Sequence, residues 1–335
     1  MKKASIKDVA SRAGVSIATV SQIINHKADR FSQETIDRVF AARDELGYIA
    51  NGAAKKLKGV QSPMIGVIIP SFRIPFFADI VQSMQLNAPE RVNLVFMGAE
   101  NEKIESSIYS LVERGVDALI FGRPIPNHQE VNEFLKKRDI PFLVLDQNTD
   151  VLAPDRIVAD EFGGGMLAAA HLLNLGHKKI AIVKPNEMTD NMFLRLEGFI
   201  RTLSREGLKP IIQCQTLLSK HGGLHVTDTI IKSGATAVFA LNDEMAIGLM
   251  RGLAKQGIDV PAQISIVGYD DTDYAEFVTP TLTTIAQPVK EIGAAALHMI
   301  VNRLEQTNLP QQTETFELHL VHRESTKALN SRDSR

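Results

Sequence analysis

From Met64 onward the chain repeats one pattern, a short continuous apolar run rich in β-branched residues followed by an amphipathic stretch of helical length. The runs MIGVIIP, VNLVFM, DALIFG and IPFLVLD come first, and KKIAIVK, TAVFALN and ISIVGYD follow after Gly163. Strands without polar alternation must be covered on both faces. Intervening helices supply that cover, so the pattern predicts parallel, doubly wound sheets of the α/β class. Two such series in about 270 residues predict two lobes facing one another across a cleft, with the change of lobe near Ala159 to Phe162.

Open parallel sheets bind ligands beyond the carboxyl ends of their strands, and polar residues collect at those ends here. SFRIPFF, Ser71 to Phe77, follows the first run, and later runs end in Asp146, in Asn242 and Asp243, and in Asp270 and Asp271. Taken singly, an Asp or Asn there need only cap the next helix. Taken together, carboxylates, amides, an Arg fork and flat aromatic faces suit a small polyhydroxylated or heterocyclic ligand.

The first sixty residues read differently. Ser5 precedes Asp8 at capping-box spacing, and Ile6, Val9, Ala10 and Ala13 follow at helical intervals. Gly14 supplies a turn and Ser16 caps a second helix, in which Val20, Ile23 and Ile24 face a core while Ile17, Ala18, Ser21, Gln22 and Asn25 point elsewhere. Ser32 caps a third helix, whose Ile36, Val39 and Phe40, with Leu46, close that core. A helix-turn-helix unit lays its second helix in the major groove, and Gln22 has the amide geometry to pair with adenine. A helical hairpin with a solvated polar face would show the same spacing. Charge favours the DNA reading, because residues 1–60 carry net +5 and the remainder net −7.

Composition narrows the rest. The 335 residues, 44% hydrophobic and 23% charged, suit two or three globular domains. No apolar run has the length of a membrane span or heads a signal peptide, and a single Cys214 forms no internal disulfide, so a cytoplasmic protein without membrane attachment is expected. Cys214 sits in the strand-like run IIQCQTLL and reads as a half-buried inert thiol. His171 with His177, and His319 with His322, lack the spacing of converging ligands, so no metal and no cofactor is expected. The triple glycine Gly163 to Gly165 matches neither GxGxxG nor a P-loop and reads as a flexible crossover. No GxSxG elbow or Ser-His-Asp order appears, and sequence alone cannot supply the separation that Asp146 and Asp270 would need as a glycosidase pair.

KDVASRAGVS, ATVS, LGYIAN and AKKLKG in the head, and LGHKKIAIV, RLEGF, LNDEMAIG, ISIVGYDDT and PTLTTIAQP in the body, stand in the order of one known family. On these motifs the chain, from Ser5 to about Thr326, strongly resembles the LacI/GalR family of bacterial transcription regulators. The resemblance implies an α plus α/β protein with a three-helix helix-turn-helix head (1–48), a hinge helix (49–60) and a two-lobed periplasmic-binding-protein-like core (61–327). Lobe 1 would take about 61–159 plus 288–317 and lobe 2 about 160–287 plus 318–327, leaving a polar tail (328–335). It further implies DNA contacts from Ser5, Ser16, Ile17, Ala18, Thr19, Ser21, Gln22 and Asn25 in the head, and from Asn51, Ala54, Lys55 and Leu57 in the hinge. Leu57 matches the residue that wedges into the minor groove, which needs two hinges and hence a dimer. Effector would be held by Phe76, Phe77, Asp146, Arg195, Asn242, Asp270 and Gln287.

The implied function is a repressor that binds a pseudo-palindromic operator as a homodimer and is switched by a sugar or sugar phosphate in the cleft. It is not expected to be an enzyme. Three departures stand out: Gln22 where the family usually has Arg, Ala50 where it has Pro, and Gly52 where a larger side chain is common. Gly52 would cost the hinge helix about 1 kcal/mol, and Gln22 puts the operator sequence in question. The tail has no leucine heptad, so a tetramerising coiled coil is not expected. A sugar-binding carrier, a sugar-acting enzyme and a regulator responding to a nucleoside or purine are the alternatives.

Overall fold

Each lobe of the body owes its layers to strands whose side chains alternate between two covered faces. A computed structural model describes residues 4–24, 30–48, 62–123, 125, 128–145, 155–306 and 308–329. It divides into two units, residues 1–62 and 63–335.

In the first unit α1 (Ile6–Ala13), α2 (Ile17–Ile24) and α3 (Gln33–Glu45) form one small core. The Ser5 backbone N–H and hydroxyl both donate to the Asp8 carboxylate at 2.7 Å, satisfying a donor at the start of α1. Gly14 ends α1 at φ 66°, a conformation that glycine adopts without strain. The Ser16 hydroxyl accepts the Thr19 N–H at 3.0 Å and starts α2. Val9, Val20, Ile23 and Val39 are fully buried at the centre, and Ile6, Ile24, Ile36, Phe40 and Leu46 pack round them. Arg12 joins the end of α1 to Glu45 at the end of α3, at 2.9 Å.

The second unit opens with β1 (Met64–Ile69), α4 (Pro75–Asn87), β2 (Asn93–Gly98), α5 (Ile104–Glu113), β3 (Ala118–Phe121), α6 (His128–Lys136), β4 (Phe142–Leu145) and β5 (Asp155–Ala159). There follow α7 (Glu161–Asn174), β6 (Ile180–Pro185), α8 (Asp190–Arg205), β7 (Ile212–Thr216), α9 (Lys220–His225), α10 (Thr227–Ser233), β8 (Ala237–Ala240), α11 (Asp243–Lys255), β9 (Ser265–Asp270), α12 (Asp273–Phe277) and β10 (Thr283–Ala286). The chain ends in α13 (Val289–Glu305), β11 (Gln312–Phe316) and β12 (His319–Val321).

These strands form two sheets, ordered β2-β1-β3-β4-β5-β11 and β7-β6-β8-β9-β10-β12. All pairs are parallel except β10 with β12. In the first sheet Ile65, Val67, Ile120, Leu143 and Leu145 face α4 and α13, while Ile68, Leu119, Phe121 and Val144 face α5 and α6. That division follows the two-residue repeat of a strand. The chain passes between the sheets after β5, after β10 and between β11 and β12. Arg303 on α13 donates through Nε to buried Asp155 at 2.8 Å, which also accepts the Gln312 N–H at 3.0 Å. This pair fastens β5, β11 and α13 together. Among the described residues no helix is long and apolar enough to cross a membrane.

The triple glycine is not a flexible crossover. Gly163 to Gly165 form the first turns of α7, where a Cβ on Gly165 would lie 1.9 Å from the Arg195 carbonyl oxygen. Gly198 on α8 meets the Phe162 carbonyl in the same way, at 2.0 Å. Small residues let the two helix backbones touch.

Candidate functional site

A cavity of about 450 Å³ lies between the two lobes of the body. It sits at the carboxyl ends of β1 and β3 on one side and of β6, β8 and β9 on the other. In both sheets the strand order reverses here, at β1 and at β6, which splays the adjacent connections apart and leaves a crevice.

Phe76, Phe77, Arg195, Asn242, Asp270 and Gln287 all line this cavity. Pro75 begins α4 with its φ already set for a helix, and the next two residues present their rings edge to face at 5.1 Å. Gly122 at the end of β3 makes room, since a Cβ there would lie 3.2 Å from the Phe77 ring.

Arg195 is the most constrained group. It is 2% exposed on α8, and its Nε and Nη2 donate to the two Glu161 oxygens at 2.9 and 3.0 Å. Its Nη1 donates to the Leu241 carbonyl and lies 3.8 Å from Asp270. The guanidinium carbon sits 3.4 Å from the centre of the Tyr269 ring, and the Tyr269 hydroxyl donates to Glu161 at 2.6 Å. Burial opposes the Arg195 charge, but Glu161, Tyr269 and Asp270 outweigh it and hold the group above its ordinary value. Its charge is therefore fixed.

Asp270 ends β9 at φ 110°, a backbone region that costs a non-glycine residue energy and is held there by its surroundings. Burial pushes its carboxyl well above the usual range, and Arg195 pulls it part of the way back. The Gln287 amide donates to Asp270 at 2.8 Å, which fixes the amide's orientation and leaves its Oε1 buried without a hydrogen-bond partner. Asn242 caps α11 by accepting the Met245 N–H at 2.9 Å, so its NH₂ group is the donor left for the cavity.

The neighbouring Asp243 turns away. It accepts the Thr272 N–H at 2.8 Å and the Thr284 hydroxyl at 2.6 Å, and burial raises its carboxyl to about 6. Asp243 is a bolt between α11, β10 and the loop after β9. Cys214 is buried with its thiol pushed up by burial, as an inert packed group would be.

Sequence reasoning missed Glu161, Tyr269 and Arg123. Glu161 is an acid in the first turn of a helix, the commonest place for one, and nothing nearby in sequence pairs it with Arg195. Asp146, Asn25, Asn51, Ala54, Lys55 and Leu57 lie outside the described residues.

On α2, Ile17, Ala18 and Gln22 are exposed and Thr19 and Ser21 half-buried, while Val20 and Ile23 are buried. Ser5 and Ser16 are exposed at the starts of α1 and α2, each already hydrogen-bonded as a cap. A helix with such a face, its first turn free of acidic side chains, can enter a groove without clash or like-charge repulsion.

Residues 5–51 match the model of the bacterial regulatory proteins of the lacI family, and residues 169–326 match the periplasmic binding protein-like domain. The HTH-type transcriptional regulator DegA of Bacillus subtilis (strain 168) is 34% identical over 98% of this chain and 100% of its own length. The chain belongs to the LacI family. A lac repressor dimer bound to operator and the anti-inducer ONPF matches its fold with a TM-score of 0.83 at 30% identity, over 98% of this chain and 100% of that one. A LacI family transcriptional regulator from Enterococcus faecium with bound ribose matches with a TM-score of 0.75 at 36% identity, covering 80% of this chain and 100% of that one. As a LacI-family protein this chain is a DNA-binding transcriptional repressor with a binding-protein-like effector core. These relatives are regulators, neither carriers nor enzymes.

Proposed function

We propose that this repressor binds a pseudo-palindromic operator as a homodimer, through the exposed face of α2 and the 49–60 hinge, and that a small sugar-like effector in the interlobe cavity switches it. The convergence of Arg195, Asp270, Asn242 and Gln287 with the Phe76 and Phe77 rings in one cavity carries the reading. Fixed donors and acceptors match ring hydroxyls, and the aromatic faces cover the apolar C–H face of a sugar. The ribose bound by the Enterococcus faecium relative, and the operator bound by the lac repressor dimer, are consistent with both halves of it. In the head, Ile17, Ala18, Thr19, Ser21 and Gln22 would read bases while Ser5 and Ser16 approach the phosphates.

A gel-shift titration across salt, with and without candidate sugars, nucleosides and purines, tests the proposal. Operator affinity should fall steeply with salt and change on adding one ligand class. No DNA binding at low salt, or an operator affinity indifferent to every ligand, would refute it.

A further inference from the structure

We infer that the cavity selects an uncharged polyhydroxy ligand over its phosphorylated counterpart, and that the buried carboxylate of Glu161 sets this preference. The inference rests on the effector-site reading above.

A phosphate is gripped by arginine through two parallel N–H donors. Arg195 has such a pair in Nε and Nη2, and Glu161 occupies both, at 2.9 and 3.0 Å. Glu161 is itself locked by the Tyr269 hydroxyl at 2.6 Å. A Cβ on Gly164 would lie 2.2 Å from that hydroxyl, so glycine here gives the lock its room. Moving Glu161 aside to admit an anion would strand a carboxylate that is 1% exposed.

The other arginine of the lining is no better placed. The Arg123 Nη1 donates to the Ala99 carbonyl, and burial holds the group below its ordinary value, against which Glu100 acts only in part. Among the described residues, the lining sets three carboxylates, Asp190, Glu187 and Asp270, against these two cations. Helix N-termini attract anions; those of α8 and α11 carry their own acids in the first turn, Asp190 on one and Asp243 and Glu244 on the other, while that of α4 carries none and presents the Phe76 and Phe77 rings instead. Among the described residues the groups open to a ligand include the Asn242 amide, the Gln287 Oε1 and the Asp270 carboxylate, a set that hydroxyl groups satisfy without bringing charge.

The full-length protein is titrated calorimetrically with matched pairs such as ribose and ribose 5-phosphate, or glucose and glucose 6-phosphate. For the pair that binds, the phosphorylated member should be weaker by roughly 30-fold or more, the scale set by a dianion brought close to carboxylates. A phosphorylated member that binds equally or more tightly overturns this inference while leaving the effector site standing. Binding by no sugar of either kind sinks both.

Glu161→Gln, checked for folding by circular dichroism, should free the fork and shrink the gap to a few-fold. An unchanged gap in that folded variant removes Glu161 from the explanation. If that variant does not fold, Tyr269→Phe loosens Glu161 without unpairing Arg195, and it should narrow the gap in the same direction; an unchanged gap there counts equally against the role.

Discussion

A guanidinium only 2% exposed persists because its charge is answered where it sits. At the scale of single residues, Arg195 therefore shapes the cavity and holds it together. Arg195→Ala should leave Glu161 stranded and cost about 3–5 kcal/mol, read as a lowered urea midpoint at unchanged m-value. The double replacement Arg195→Met with Glu161→Leu should recover most of that loss, since it removes both charges and keeps the volume. A single variant as stable as the wild type would mean that the pair is not the anchor described. Asp270 was legible in the sequence because a polar residue ending a buried strand is conspicuous, whereas Arg195, inside α8, and Gln287 were singled out only by the family resemblance. Glu161 and Tyr269 were not, one disguised as an ordinary helix-start acid and the other inside an apolar run. Asn242 and Asp243 looked alike on paper, yet Asn242 is the extended N-cap and Asp243 the first helical residue, so their side chains leave the backbone in different directions and one meets the cavity and the other the core.

At the scale of elements, two pairings carry the second lobe. Contact between α7 and α8 depends on Gly165 and Gly198, whose positions leave no room for a methyl group. Gly165→Ala would force the helices apart beneath Arg195, costing about 1–3 kcal/mol by overpacking and weakening effector binding with it; denaturation and ligand titration of the same variant test both. The triple glycine misled the sequence reading because glycine marks close packing as well as turns, and only the facing helix tells the two apart.

The second pairing is the segment after β12. Ser325 accepts the Thr283 N–H at 2.8 Å, Lys327 donates its N–H to Ser265 at 3.1 Å, and His171 bonds Thr326 at 2.9 Å with its ring 5.3 Å from that of His322. Burial, then His322 and His177, lower the His171 imidazole from 6.5 to about 4. Between those values the unfolded chain binds a proton that the native protein refuses. His171 therefore costs nothing above 6.5 and destabilises progressively as pH falls toward 4. Asp243, raised from 3.8 to about 6, acts with the opposite sign over much of that range, so the readable quantity is the difference between proteins. Urea midpoints of His171→Gln should fall less steeply than those of wild type between pH 6.5 and 4, and parallel profiles would contradict the buried neutral imidazole.

At the scale of the whole molecule, the organisation of the body was readable because its repeated apolar runs admit few arrangements. Strands covered on both faces need helices between them, and two such series need two sheets. The three passages of chain between the sheets were less so, since β11 and β12 are short, only partly buried and carry little apolar signal. Those passages bear on function, because lobes can rotate about the segments that connect them when a ligand bridges the cavity. If such a rotation links cavity to operator, the link is a free energy shared by both ligands and must read the same from either side. A bound sugar that changes operator affinity 100-fold, worth about 2.7 kcal/mol, requires operator DNA to change sugar affinity by the same 100-fold and in the same direction. Gel shifts with and without sugar give one factor, and calorimetric titration of sugar into the protein with and without operator gives the other. Equal factors are expected, whether the sugar releases the repressor or tightens it. Unequal ones at the same salt and protein concentration would mean that sugar and operator are not acting on one common equilibrium of the dimer, and the two-ligand switch would have to be abandoned.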